Sequence, residues 1–132
     1  MPISFKVLPE VKAIHVKCTG VVSMEEILDH EVAVVIDPRF DATFTEIIDL
    51  SSAERLDLSH QDMGNIVDYE NSHQRYVGNR KVAFVGPADV EFGLGRMYQM
   101  MEDGSPMETR VFRDLGAACE WAGLAVSNLH GG

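Results

Sequence analysis

An α/β fold of order ββαβαβαβα, with a mixed, mostly parallel five-stranded sheet, an antiparallel N-terminal hairpin and four main helices, follows from three observations on this sequence. Two short runs near the start alternate apolar and polar residues, as half-buried strands do. Beyond them, helical periodicities and strand-length apolar runs take turns along the chain, which asks for crossover connections and parallel strands. Residues suited to helix starts, Ser23, Ser59, Asp89 and Asp114, stand at the openings of the helical stretches.

Taken in order, Ile3, Phe5 and Val7 alternate with Ser4 and Lys6. After Pro9-Glu10 the pattern resumes with Ile14, Val16 and Cys18 against His15, Lys17 and Thr19, giving a hairpin with one wet face that Gly20 ends. Ser23 and Glu26 form a capping box for a helix carrying Met24, Ile27, Leu28, Val34 and Val35 on one side, and Asp37-Pro38 stops it. Thr45 to Leu50 is a short strand centred on Ile47 and Ile48. Ser59, with Asp62 in the first turn, opens a second helix with the stripe Met63, Ile66 and Val67, running to about Tyr76.

Gly78-Asn79 breaks the chain before Val82-Ala83-Phe84-Val85, a continuous apolar run of the kind a central parallel strand shows. Pro87 and Asp89 open a third helix in which Val90, Leu94, Met97 and Met101 recur at helical spacing, ending near Gly104-Ser105-Pro106. Thr109 to Phe112 is the last strand, and Asp114 caps a helix with Leu115, Ala118, Cys119 and Trp121. Residues 1–126 read as one domain, and residues 127–132 as a frayed tail.

Composition narrows the function classes. A chain of 132 residues can bury roughly two-thirds of the surface its unfolded form exposes, so it needs neither disulfides nor a metal to fold. The net charge of −10, from 21 acids against 11 Lys and Arg, opposes attraction to nucleic acid or anionic lipid. Arg75, Arg80 and Lys81 form a small basic group that reads as solvated loop charges. Cys18 and Cys119 lie far apart among apolar residues and read as core thiols. No stretch is long and apolar enough to span a membrane and no leader pattern opens the chain, so the expected location is cytoplasmic.

Chemistry-bearing residues concentrate in Ile47 to Met63, where Asp49-Leu50-Ser51 and Asp57-Leu58-Ser59 stand eight residues apart. A serine at an N-cap contributes about 1 kcal/mol to its helix and needs no other role. The same hydroxyl also faces the unsatisfied N–H groups of a helix start, where a phosphate is stabilised and would alter a partner surface. Asp57, His60 and Asp62 surround Ser59, but neighbouring positions at a helix start point in different directions, which disfavours a nucleophile–base pair. Glu70 and His73 have the spacing of a metal half-site, yet no second copy exists, so no metal and no cofactor is expected. Gly86, Gly93 and Gly95 lack dinucleotide-binding spacing.

The run Ile48-Asp49-Leu50-Ser51 followed by Leu56-Asp57-Leu58-Ser59 at a helix start resembles the strand-loop-helix of STAS domains, the SpoIIAA-like anti-sigma factor antagonist family. The resemblance implies that Ser59 matches a phosphorylated serine, Asp57 the acid before it and Asp49 the acid at the strand end. Leu58 and His60 depart from the family's D-S-S-G pattern. The segments Asp37 to Asp41, Phe92 to Tyr98 and Val111 to Leu124 look like a bacterial SpoIIAA-like subgroup without a settled function, related to the CRAL-TRIO lipid-binding type.

Two functions follow as expectations. The first is a noncatalytic regulatory module that binds a protein partner around Asp49, Asp57, Ser59 and His60, with Ser59 as its switch. The second is a domain binding a small apolar molecule or lipid, in a pocket under the third helix lined by Phe92, Met97, Tyr98 and Met101, which needs roughly 300 Å³. An enzyme is disfavoured, because no nucleophile, base and orienting group assemble from neighbouring elements. The hairpin edge is compatible with a homodimer.

Overall fold

A computed structural model describes residues 2–73, 80–101 and 107–130. Strand β1 (Ile3–Leu8) turns through a short 3-10 segment, Pro9–Val11, into β2 (Ala13–Ser23). Lys12 makes that reversal with a left-handed backbone, φ 54°. Helix α1 (Met24–Ile36) leads to β3 (Thr45–Asp57), α2 (His60–Ser72) to β4 (Lys81–Val85), and α3 (Asp89–Met101) to β5 (Glu108–Phe112). Helix α4 (Leu115–Ala122) and a 3-10 helix, Val126–His130, complete the described chain.

The strands lie in the order β1-β2-β3-β4-β5. The first pair is antiparallel and the others are parallel. A sheet that advances one strand at a time through right-handed crossovers places α1, α2 and α3 on the same face. Strand parity agrees: Ile14, Val16, Cys18 and Leu50 pack on that side with Val34 of α1. Ile47, Ala83 and Val85 point the other way and pack under α4 with Ala118, Cys119 and Leu129. Both cysteines are buried free thiols. Burial, with the Asp49 and Glu46 charges adding to it, pushes Cys18 up to about 12.

Local chemistry explains the helix starts. Ser23 and Glu26 form the capping box of α1, Ser59 and Asp62 that of α2, and the Asp114 side chain accepts from Ala117 N–H. On α3, Gly95 lets the helix approach β5, since a Cβ there would stand 3.0 Å from both Val111 methyls. Gly123 ends α4 with φ 75°, a left-handed cap that glycine adopts without a Cβ clash.

Four expected element ends need correction. Gly20 does not end the hairpin: its φ of 63° accompanies register shifts, and β2 continues to Ser23 beside an extended β3 that reaches Asp57 instead of stopping at Leu50. The parallel pairing of Val21, Val22 and Ser23 with Arg55, Leu56 and Asp57 holds that extension. Residues 127–130 are not a frayed tail, because they lie in the last 3-10 helix and Leu129 is buried against the sheet. The α2 helix ends at Ser72, and Tyr76, Gly78-Asn79 and Gly104-Ser105-Pro106 lie outside the described residues.

Candidate functional site

At the mouth of α2, β3 delivers Asp57 and Leu58 to Ser59, whose side chain is exposed. Its oxygen accepts from Asp62 N–H at 3.0 Å, and Asp62 Oδ2 accepts from Ser59 N–H at 3.0 Å. The bonds fix the helix start and leave the serine facing water. His60 Nδ1 lies 3.0 Å from Met97 Sδ, joining the start of α2 to α3. Ser59, Asp57 and His60 thus share one exposed end of the molecule.

Asp49 does not join them. The extension of β3 places Asp49 and Asp57 eight residue steps apart along one strand, roughly 25 Å at the usual rise. Asp49 instead binds its own neighbour, accepting from Ser51 N–H at 2.9 Å and from the Ser51 hydroxyl at 2.6 Å.

Beneath the three helices lies an apolar cavity of about 90 Å³. Val16 and Ile48 line its floor, Ile27, Met63 and Ile66 its walls, and Leu56, Leu58 and Leu94 are partly exposed at its rim. Of the four expected pocket residues, Tyr98 alone lines it. Met97 meets His60, Met101 packs at the margin of the α2–α3 cluster, and Phe92 lies beneath the Arg113 guanidinium, 4.2 Å from ring centroid to charge. Leu94, Tyr98 and Met101 follow one stripe of α3, with Met101 at its far end, while Phe92 and Met97 stand off that stripe. At the ~25 Å³ per carbon implied by a 150 Å³ cavity that accepts benzene, about four carbons fit. The volume of this cavity is below the roughly 300 Å³ expected of a pocket for a small apolar molecule or lipid.

At one end of the cavity, where Glu31 and Glu70 line it, buried charged groups from distant parts of the chain meet. Glu31 of α1 and Glu70 of α2 are buried, as are Glu46 of β3 and Arg80 just before β4. Arg80 Nη2 meets Glu46 Oε1 at 3.1 Å with both side chains shut off from water. His30 Nε2 stands 3.5 Å from Glu46 Oε2. The Tyr98 hydroxyl donates to Glu70 Oε1 at 2.5 Å. Arg80 is therefore a structural cation and not a solvated loop charge. Lys81 is held as well, donating to the Trp121 carbonyl at 3.1 Å, and Arg75 lies outside the described residues.

Glu31 is the perturbed member of the group. Burial raises its pKa from 4.5 to about 7, the nearby Glu46 charge adds to the rise, and a hydrogen bond with Glu70 opposes it. Its Oε2 is buried without a hydrogen-bond partner. A signal for these acids does exist in the sequence. Glu31 follows Ile27 by four residues, Glu70 follows Ile66 by four, and Glu46 alternates with Ile48 and Leu50, so all three stand on inward stripes.

Glu70 and His73, which share the spacing of a metal half-site, do not face one another. Glu70 turns into the core, whereas exposed His73 stacks on Tyr69, with ring centroids 3.9 Å apart. Among the described residues, no group of three or more His, Cys, Asp and Glu side chains is placed to hold a metal ion. No helix among them is long and apolar enough to cross a membrane.

Neither the protein-family descriptions nor the curated proteins include a match to this chain. A solved structure does match: an uncharacterised DUF3478-family protein with a SpoIIAA-like fold from Shewanella loihica PV-4. The TM-score is 0.53 at 17% sequence identity, over 91% of this chain and 93% of that one. The fold of this chain is SpoIIAA-like, an α/β sheet with an antiparallel first pair and parallel strands after it.

Proposed function

We propose that this chain is a noncatalytic, STAS-like regulatory module that binds a protein partner at the mouth of α2, with Ser59 as the residue whose modification changes that surface. The carrying observation is that Ser59 is exposed while its capping box with Asp62 already holds the helix start. A phosphate on that oxygen meets the N–H groups and positive end of α2, so the fold tolerates it. It also adds about two negative charges beside Asp57 and Asp62, which repels an acidic partner and attracts a basic one. Aspartate is itself a good N-cap, so Ser59→Asp changes the surface charge without removing the cap. Wild-type protein and this variant, used in parallel to retrieve partners from cell extract, are expected to differ in what they hold. Identical partners at identical yield would end the switch reading.

A second reading is favoured by the cavity. Its apolar walls, with the unpartnered Glu31 oxygen at one end, suit a very small molecule with a hydrogen-bond donor on a short alkyl body. Titration with n-butylamine, followed by the methyl NMR signals of Ile27, Ile48 and Ile66, tests it. Saturable shifts confined to those methyls support the site, and their absence removes it.

A further inference from the structure

We infer that the open face of the β1–β2 hairpin is a binding site for a phosphoryl group, formed by Ser4, Lys6, His15, Lys17 and His130. These residues line a concavity of about 160 Å³ on the face opposite α1–α3, closed at one side by Leu129. The hairpin register makes the arrangement compact: Ser4 pairs with Lys17 and Lys6 with His15, so the four side chains form a square on one face. His130 arrives from the terminal 3-10 helix, which buried Leu129 anchors to the sheet.

The charge is unusual for its setting. In a chain of net charge −10, two lysines and two histidines converge in one hollow. Neither lysine is in an ion pair among the described residues, where the pairs involve His30, Arg39, Arg80 and Arg113. The acid nearest by register is Asp49, beside Lys17, and its Oδ1 is occupied by Ser51.

His15 is the observation that points to a ligand. It is 6% exposed, and its Nε2 is buried without a hydrogen-bond partner. Burial holds its pKa below the usual value, with the Lys17 charge and then His130 pushing the same way, while Asp49 and the Leu129 backbone oppose them. A bound anion supplies what is missing: it neutralises the lysines and favours the protonated form of the His15 imidazole. Two ammonium groups, a hydroxyl and two imidazoles approach from different directions, which suits the several oxygens of a tetrahedral phosphoryl group better than a planar carboxylate.

Binding is therefore linked to proton uptake at His15, and linkage works in both directions. Inorganic phosphate and glycerol phosphate, titrated separately, distinguish the free ion from a phosphate monoester, with histidine ring and hairpin amide signals followed by NMR. The expected result is saturable shifts at Lys6, His15 and Lys17, a rise in the His15 pKa, and binding that tightens as pH falls while the ligand's own charge is unchanged, by at most about tenfold per pH unit for one linked proton. Lys6→Gln and Lys17→Gln, both at exposed positions, should each weaken binding several-fold while leaving the amide spectrum of α1–α3 unchanged. Monoester binding with weak inorganic phosphate binding would assign the site to an esterified ligand, and the reverse to the free ion. Absence of saturable shifts with both compounds, or an unchanged His15 pKa at saturation, would overturn the inference. None of these outcomes depends on Ser59 or on an α2 partner.

Discussion

Glu46 and Asp49 stand three residues apart on β3, yet their surroundings differ in kind. Glu46 faces α1–α3, is fully buried and is held against Arg80 at 3.1 Å. Asp49 faces the other way, remains partly exposed and bonds only to the neighbouring Ser51 among the hydrogen bonds described. The difference comes from the thickness of cover. Three helices of 13 residues each overlie one face, whereas the other is covered by the eight-residue α4 and a short 3-10 helix. Full cover removes water and forces charges into pairs; partial cover leaves the hairpin's polar face open.

The strongest way to break this contrast is to remove one member of the buried pair. Replacing Arg80 by methionine leaves Glu46 without its compensating charge in a dry site, which costs about 3–5 kcal/mol. Urea denaturation should show that loss as a lower midpoint. The mirror change on the open face, Lys17→Gln, should move stability by less than about 0.5 kcal/mol. Equal losses from both substitutions would mean that the two faces do not differ as their burial says.

Glu31 sharpens the contrast through pH. A carboxyl whose folded pKa is raised holds its proton more tightly in the folded state, so its contribution is complete below the unfolded value of 4.5. That contribution is lost as pH rises through about 7. The size is roughly 3 kcal/mol across that window. Glu31→Gln should flatten this part of the stability profile and leave the variant relatively more stable at neutral pH. A profile of unchanged slope in the variant would place the proton on another group.

How much of this was legible in the sequence depends on range. Ser23, Ser59 and Asp114 were readable as caps because each bond spans three residues, and Val82 to Val85 was readable as a central strand from its own apolar run. The far half of β3 was not. Ser51 to Asp57 shows no clean alternation, and what makes it a strand is pairing with β2 beyond a register shift. That extension also separates Asp49 from the Ser59 group. The buried acids were hidden for a related reason: an acid on an inward stripe is visible, but its partner is not. Arg80 reads as a loop cation until the fold brings β3 and β4 side by side.

Gly95 probes the cover at the sheet's other end. The two Val111 methyls at 3.0 Å from a Cβ at this position leave little room, so Gly95→Ala gains helix propensity but overpacks the α3–β5 contact. The expected net cost is about 1–2 kcal/mol. Gly93, with nothing within 4 Å of its added Cβ, is the matched control on the same helix. Gly93→Ala should be neutral or stabilising, and destabilisation of similar size at both positions would remove the packing explanation.

The smallest effect concerns Ser59. Alanine there removes the acceptor for Asp62 N–H and costs about 1 kcal/mol, whereas aspartate keeps an acceptor and should stay within a few tenths of wild type. The comparison separates two roles that share one oxygen. If Ser59→Asp is as stable as wild type but exchanges partners, the residue acts through surface charge. If Ser59→Ala and Ser59→Asp lose the same partner while only alanine loses stability, the hydroxyl itself is the contact. If partners follow stability alone, the capping bond is its whole function, because a cap that only holds α2 influences binding only through the population of folded protein.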